Sequence, residues 1–191
     1  MRVISGSYKG RKLKALDGKR VRPTSDKVKE AIFSIAAPYM GDGIFLDLCS
    51  GSGAIAIEAL SRSEMKAVLI DDSRDSMKIA RENLQLCGAL DRAKLVNRSL
   101  PNALDSLLKE GIMAEIIFLD PPYDKKELYT CTIEGVLMLD LLDKQGIMII
   151  EHNSGLSLLD KYCYEDRCLN KIKERKYGAT LLSIFRLETS I

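Results

Sequence analysis

The sequence predicts an α/β domain with a doubly wound, mostly parallel sheet, and three observations predict it. Strand-like apolar runs alternate with helical stretches from Ile44 onward. Several runs, such as IIFL and IMII, are apolar throughout, as strands covered on both faces are. The connections are short, and one of them is a glycine-rich turn between strand and helix.

Strands are expected at residues 44–48, 67–71, 94–97, 115–119 and 146–151, and helices at 54–62, 74–86, 101–110 and 125–139. In the second of these helices Met77, Ile79, Ala80, Leu84 and Cys87 recur at the spacing of one buried face. The first 43 residues read differently. VISGSYKGRKLKAL suggests a short hairpin with Gly6 and Gly10 at turns. A helix over 27–37 follows, capped by Ser25 or Asp26 and stopped by Pro38. Residues 181–187 form an apolar, β-favouring run that adds a late strand. Residues 1–43 are thus a basic extension, and 44–191 the main domain.

With 191 residues, 46% of them hydrophobic, the chain can bury the core of one domain, which excludes a disordered protein. No apolar run approaches the roughly 18 residues that span a bilayer, and MRVISGSYKGRKLK lacks a signal peptide's apolar stretch. A cytoplasmic monomer is expected. Cys49, Cys87, Cys131, Cys163 and Cys168 are odd in number and show no Cys-x-x-Cys spacing. With His152 as the only histidine, no metal is expected. The five thiols read as reduced and mostly buried, and His152 as a rim or packing residue.

The net charge of +2 hides an asymmetry. Residues 1–30 hold ten basic side chains and three acidic ones, net +7, and the remainder is net −5. A basic extension on an acidic body suits a polyanionic partner.

Two motifs carry chemistry. The first is FLDLCSGSGA at 45–54, containing Asp47, Ser50, Gly51, Ser52 and Gly53. Glycines here let a ligand approach the backbone. Asp71, twenty residues after Gly51 and followed by Asp72, closes the next strand, where an acid accepts hydrogen bonds from ribose hydroxyls. These features indicate a nucleoside-containing cofactor. Gly51–Ala56 also fits the dinucleotide Gly-x-Gly-x-x-Ala pattern. Asp47 is no part of that pattern, but could face the amine of an amino-acid-bearing cofactor such as S-adenosylmethionine.

The second motif, Asp120-Pro121-Pro122-Tyr123, directly follows a strand, at the rim where open α/β sheets bind ligands. The prolines stiffen the loop and remove backbone donors. A carboxylate, carbonyl acceptors and an aromatic ring within four residues suit a flat base with an exocyclic amino group. The lone pair of such an amine is delocalised into the ring. Hydrogen bonds from its N–H groups to Asp120 and a Pro121 carbonyl favour a pyramidal, nucleophilic nitrogen. Tyr123 can stack on a base that lies outside a helix.

These motifs resemble those of class I S-adenosylmethionine-dependent methyltransferases with an Asp/Asn-Pro-Pro-Tyr/Phe signature, which have a Rossmann-like fold. RVISG at 2–6, KGRKL at 9–13, RPTSDKVKEAIF at 22–33, the stretch 47–62 and KYGA at 176–179 are similar to the bacterial small-subunit (16S) rRNA guanine-N2 methyltransferases. The resemblance implies that S-adenosylmethionine is held by Asp47, Ser50, Gly51, Ser52 and Gly53, with Asp71 and Asp72 at its ribose. It places guanine at Asp120–Tyr123. It also implies that Arg22 and Thr24 line the site, and that Lys9, Arg11, Lys12, Arg22 and Lys27 meet the RNA. Ser99 stands where such enzymes often have Asp near the adenine, and Cys49 where Phe is usual. The residue chemistry alone does not select guanine over adenine or cytosine. It leaves open an amino-methyltransferase acting on DNA bases or protein glutamine, an NAD-dependent dehydrogenase, and a non-catalytic RNA-binding protein.

Overall fold

The computed structural model describes residues 1–16 and 25–188. Arg22 and Thr24 lie outside the described residues. Five parallel strands form one half of the sheet: β1 (Ile44–Leu48), β2 (Lys66–Asp71), β3 (Ala93–Asn97), β4 (Ala114–Leu119) and β5 (Leu142–Asn153). Three more, β6 (Lys161–Tyr164), β7 (Arg167–Tyr177) and β8 (Thr180–Leu187), continue it antiparallel. The order is β3-β2-β1-β4-β5-β8-β7-β6. The sheet is therefore more mixed than expected, because the chain after Asn153 returns as hairpins.

Helices α1 (Asp26–Ala36), α2 (Ala54–Arg62) and α3 (Arg74–Cys87) cover one face, and α4 (Leu104–Lys109) and α5 (Lys126–Met138) the other. Pleat alternation explains the division. In β1, Phe45 joins the cluster under α1 and α2, whereas Leu46 and Leu48 join the cluster under α4 and α5. The expected N-cap of α1 is Ser25, whose hydroxyl accepts from Val28 N. The helix of 101–110 is shorter than expected, starting at Leu104.

The extension is built into this fold. Val3 and Leu13 are buried with α2 and α3, and Val28, Ile32 and Phe33 of α1 pack against the sheet. The hairpin reduces to one antiparallel bridge, Arg2 to Lys12. Glu58 of α2, fully buried, accepts from Ile4 N and Ser5 N, each at 2.9 Å, and pairs with Lys29 at 3.6 Å and Arg62 at 2.7 Å. Gly6 has φ +85°, and a Cβ there would fall 1.8 Å from Ser61 O. The loop can lie against α2 only because position 6 has no side chain.

Several charges of the basic extension are consequently satisfied internally. Lys29 is buried, and that burial lowers its pKa despite Glu58. Arg2 pairs with Asp26 and Lys14 with Glu82. The cysteine expectation also needs correction. Cys163 and Cys168 face each other across the β6–β7 hairpin and form a disulfide, since cross-strand register brings the two Cβ atoms together. Of the three free thiols only Cys87 is buried. His152 is fully buried, its ring nitrogens on Ser183 Oγ and Asn153 O.

Candidate active site

The parallel strands reverse order between β1 and β4, and at their carboxyl ends a cleft of about 790 Å³ opens. Register dictates what lines it. Leu48 pairs with Ile70 and with Leu119, and Leu119 pairs with Ile150. The next position on each strand is therefore one row of neighbours: Asp71, Cys49, Asp120 and Glu151. All four line the cleft. Asp47, two residues after Phe45 and on the same face of β1, lines the cleft too. Among the described residues, no group of three or more His, Cys, Asp and Glu is placed to hold a metal ion.

The turn after β1 is held from below. Cys49 and Gly51 adopt positive φ, 67° and 54°; for Cys49 this is a strain of the kind that clusters at functional sites, and for glycine it is unstrained. Gly51 N–H donates to Asp71 Oδ2 at 2.8 Å, while Oδ1 accepts from Ser73 N at 2.9 Å. Asp71 thus closes the loop as well as facing the cleft. Asp47, 1% exposed, accepts from Ala56 N at 3.2 Å. Burial raises its pKa to about 7, with a smaller push from Asp71. Ser50 Oγ is buried with no hydrogen-bond partner.

Both glycines have positive φ, and Gly53 has a packing need besides. A Cβ on Gly51 would meet only Leu16, at an ordinary 3.8 Å, so its need is conformational. A Cβ on Gly53 would press on Leu69 at 2.9 Å and Ala80 at 3.2 Å. Gly53 therefore serves the packing of α2 on β2 and α3. Asn83, fully buried and absent from the sequence expectations, ties this region together. Its amide donates to Ser52 O and Lys14 O, both at 3.0 Å, and its oxygen accepts from Lys14 N at 2.8 Å. The segment ending at Leu16 is pinned over the glycine turn by these bonds, and Ala15 and Leu16 line the cleft.

On the other side, Asp120 is half-buried. Its pKa is raised well above the usual carboxylate range, first by desolvation, then by Glu151 and Asp47. The Pro121 carbonyl already accepts from Tyr129 Oη at 3.3 Å, and the Pro122 carbonyl from Lys125 N at 2.9 Å. The loop therefore presents fewer open acceptors than expected, and the second lone pair of Pro121 O is what remains at that atom. Pro122 and Tyr123 are exposed at the rim. Asp72 is exposed and pairs with Lys125 at 3.9 Å, and Ser99 lines the cleft beside Arg98.

Glu151, Tyr129 and the β7–β8 turn at Tyr177–Thr180 were not anticipated. Glu151 was legible in principle, because an acid ending IMII occupies the same rim as Asp120. Lys9, Arg11, Lys12 and Lys27 are exposed, with Arg11 donating to Leu86 O. Lys173, Arg175 and Lys176 on β7 are exposed as well, a second group of basic residues in the strand that ends at Tyr177 of the cleft lining.

Comparison with known proteins extends this picture. The family profile described as Conserved hypothetical protein 95 matches residues 1–186. YlbH of Bacillus subtilis, provisionally named an rRNA methyltransferase, is 34% identical over 186 residues, 97% of this chain and 98% of its own. Ribosomal RNA small subunit methyltransferase D of Escherichia coli is 39% identical over 123 residues, 64% of this chain and 60% of its own. An RNA methyltransferase from Salinibacter ruber, solved in complex with S-adenosyl-L-homocysteine, has a similar fold: TM-score 0.64, 17% identity, 89% of this chain and 96% of that one.

Proposed function

The chain belongs to the Conserved hypothetical protein 95 family, of the small-subunit rRNA methyltransferase type, and from that premise we propose that it methylates the exocyclic N2 of a guanine in 16S rRNA. It is an S-adenosylmethionine-dependent rRNA methyltransferase with a class I fold. The observation that carries the finer reading is the register row: it sets Asp120 and the Pro121 carbonyl beside the acids of the glycine turn in one cleft.

The residues suit the cofactor. Ser50 Oγ is buried and unpartnered, Gly51 leaves the turn open toward Leu16, and Asp47 is a buried acid. We assign Asp47, Ser50, Gly51 and Ser52 to the methionine end, Asp71 and Asp72 to the ribose, and Ser99 to the adenine edge. When bound, S-adenosylmethionine supplies a methyl group on a sulfonium, whose sulfur keeps the bonding pair as a nucleophile takes the carbon. An acidic interior favours that cation and repels phosphates, so a base enters the cleft while its backbone stays outside.

Asp120 and the free lone pair of Pro121 O accept from the N2 amine, localising its lone pair for attack. The N2 nitrogen loses one proton after the N–C bond forms, and Asp120 is the carboxyl placed to receive or pass it on. Tyr123 supplies a stacking face at the rim. Lys9, Arg11, Lys12 and Lys27 contact RNA phosphates.

The test uses methyl-labelled S-adenosylmethionine with unmodified small subunits, naked small-subunit rRNA and duplex DNA, followed by digestion to nucleosides. Label in N2-methylguanosine from either RNA substrate is expected. Label in another nucleoside, or none with cofactor binding intact, overturns the reading.

A further inference from the structure

Asp120 is not the only carboxyl facing the target pocket. Glu151 ends the apolar run of β5 and follows Ile150, just as Asp120 follows Leu119 on β4, and these two residues are paired in parallel register. Neighbouring strands lie about 4.8 Å apart, and residues in register on parallel strands point to the same face. Glu151 is 5% exposed and lines the cleft. Asp47, the other buried acid nearby, turns its carboxylate to Ala56 N at the start of α2. Glu151 is therefore the acid alongside Asp120 on the side away from the glycine turn.

The spacing of this pair is fixed by Tyr129. Its hydroxyl is 3.3 Å from both the Pro121 carbonyl and the Glu151 carbonyl, so one buried ring spans the ends of β4 and β5. A second carboxyl has a chemical consequence for base choice. Guanine presents two donors side by side, N1–H and the N2 amine. Adenine and cytosine place a ring-nitrogen lone pair beside their exocyclic amine, and against a carboxylate that lone pair repels.

We propose that Glu151 determines specificity: its carboxylate accepts from guanine N1–H while Asp120 accepts from the adjoining N2–H. This rests on guanine N2 as the methyl acceptor. It supplies a reason, within the chain's own residues, for guanine over the other amino-bearing bases. No group is transferred to Glu151, which acts on the bound base by orientation and by rejection of mismatched edges.

The experiment begins by mapping the nucleotide that the wild-type enzyme methylates. Synthetic RNA covering it, reconstituted into small subunits where naked RNA is not a substrate, then carries guanine or 2-aminopurine there. 2-Aminopurine keeps the N2 amine but has a lone pair at N1 in place of N1–H. The wild-type enzyme is expected to prefer guanine in kcat/KM by about 5–150-fold, the discrimination of one two-point base contact. In Glu151→Gln, whose amide N–H can meet the N1 lone pair, that preference is expected to shrink toward unity. Its Kd for S-adenosylhomocysteine should not move.

An unchanged preference in a folded Glu151→Gln enzyme overturns the proposal, whether or not overall activity falls. Should that variant fail to fold, Glu151→Asp serves: it keeps the charge but withdraws it by one methylene. It should lose kcat/KM on guanine while still rejecting 2-aminopurine, and wild-type kcat/KM overturns the proposal. Failure of the wild-type enzyme to form N2-methylguanosine overturns the underlying reading instead, before any variant is compared.

Discussion

Lowering the pH from 7 to 6 should weaken cofactor binding through Asp47. This carboxyl is buried at the end of β1 and its pKa is raised to about 7, burial being the main cause. The cationic amine we assign to it requires the ionised form. At pH 7 about half of the free protein carries that form, and at pH 6 about a tenth, each pH unit below the pKa removing close to a factor of ten. The dissociation constant should therefore rise about fivefold over that unit, and close to tenfold over the next. Isothermal titration calorimetry with S-adenosylhomocysteine measures it, and repetition in buffers of different ionisation enthalpy counts the protons released on binding. Asp47→Asn should bind weakly at both pH values with little slope. Equal affinity of the wild-type protein at pH 6 and 7, or an unchanged slope in Asp47→Asn, would refute the assignment. The free protein has the complementary dependence. Between the ordinary carboxyl value and about 7 the native state holds the extra proton, so Asp47 makes stability fall as pH rises through that window.

Three further outcomes are expected. Asp120→Asn should lower turnover by about 10²–10⁴, the range for a positioned proton-handling group, while leaving the S-adenosylhomocysteine Kd in place. Because its carboxyl is held above the usual range and must be ionised to accept from the amine, wild-type turnover should climb with pH, and equal loss of binding and turnover in Asp120→Asn would contradict the assignment. Glu58→Gln strips the counter-ion from buried Lys29 and weakens the acceptor of Ile4 N and Ser5 N, so denaturant unfolding should show a loss of about 3–5 kcal/mol. Replacing Lys9, Arg11 and Lys12 together by Ala should flatten the dependence of log affinity for rRNA on log salt by about 2–3 in slope, and an unchanged slope would assign the phosphate contacts to the basic residues on β7.

Much of the parallel half was legible because buried parallel strands are apolar on both faces. Residues 44–48 and the helix at 54–62 coincide with β1 and α2. What escaped prediction lies where burial is one-sided. In β7 the string RCLNKIKERKY buries only Leu169 fully, so no clear alternation marks it as a strand. The same lack of signal concealed the hairpin that brings Cys163 opposite Cys168. At the site, Asp71 and Asp120 were readable because each ends an apolar run beside a turn signal. Glu151 also ends an apolar run, but the strand continues two residues past it to Asn153 before the turn, which weakens the signal. Asn83 and Tyr129 act through the backbone of distant segments, and no local pattern encodes such contacts. The net charge of +7 over residues 1–30 overstates the exposed charge for a related reason: Lys29 is buried beside Glu58, and a formal charge in a sequence carries no record of the acid it meets.

The seating of the first residues on α2 bears on how proteins of this kind could be recombined. Glu58 and Ser61 hold the loop at 4–8 through six hydrogen bonds, and the helix carrying them starts at the glycine turn. The loop at 4–8 and the cofactor loop therefore share one rigid rod, the first seated along its second half and the second at its start. A chimera that exchanges the extension between relatives at residue 43 would cut through this seat, leaving one parent's loop on the other parent's helix. The natural crossover lies after Arg62, so that loop, glycine turn and helix travel as one cassette.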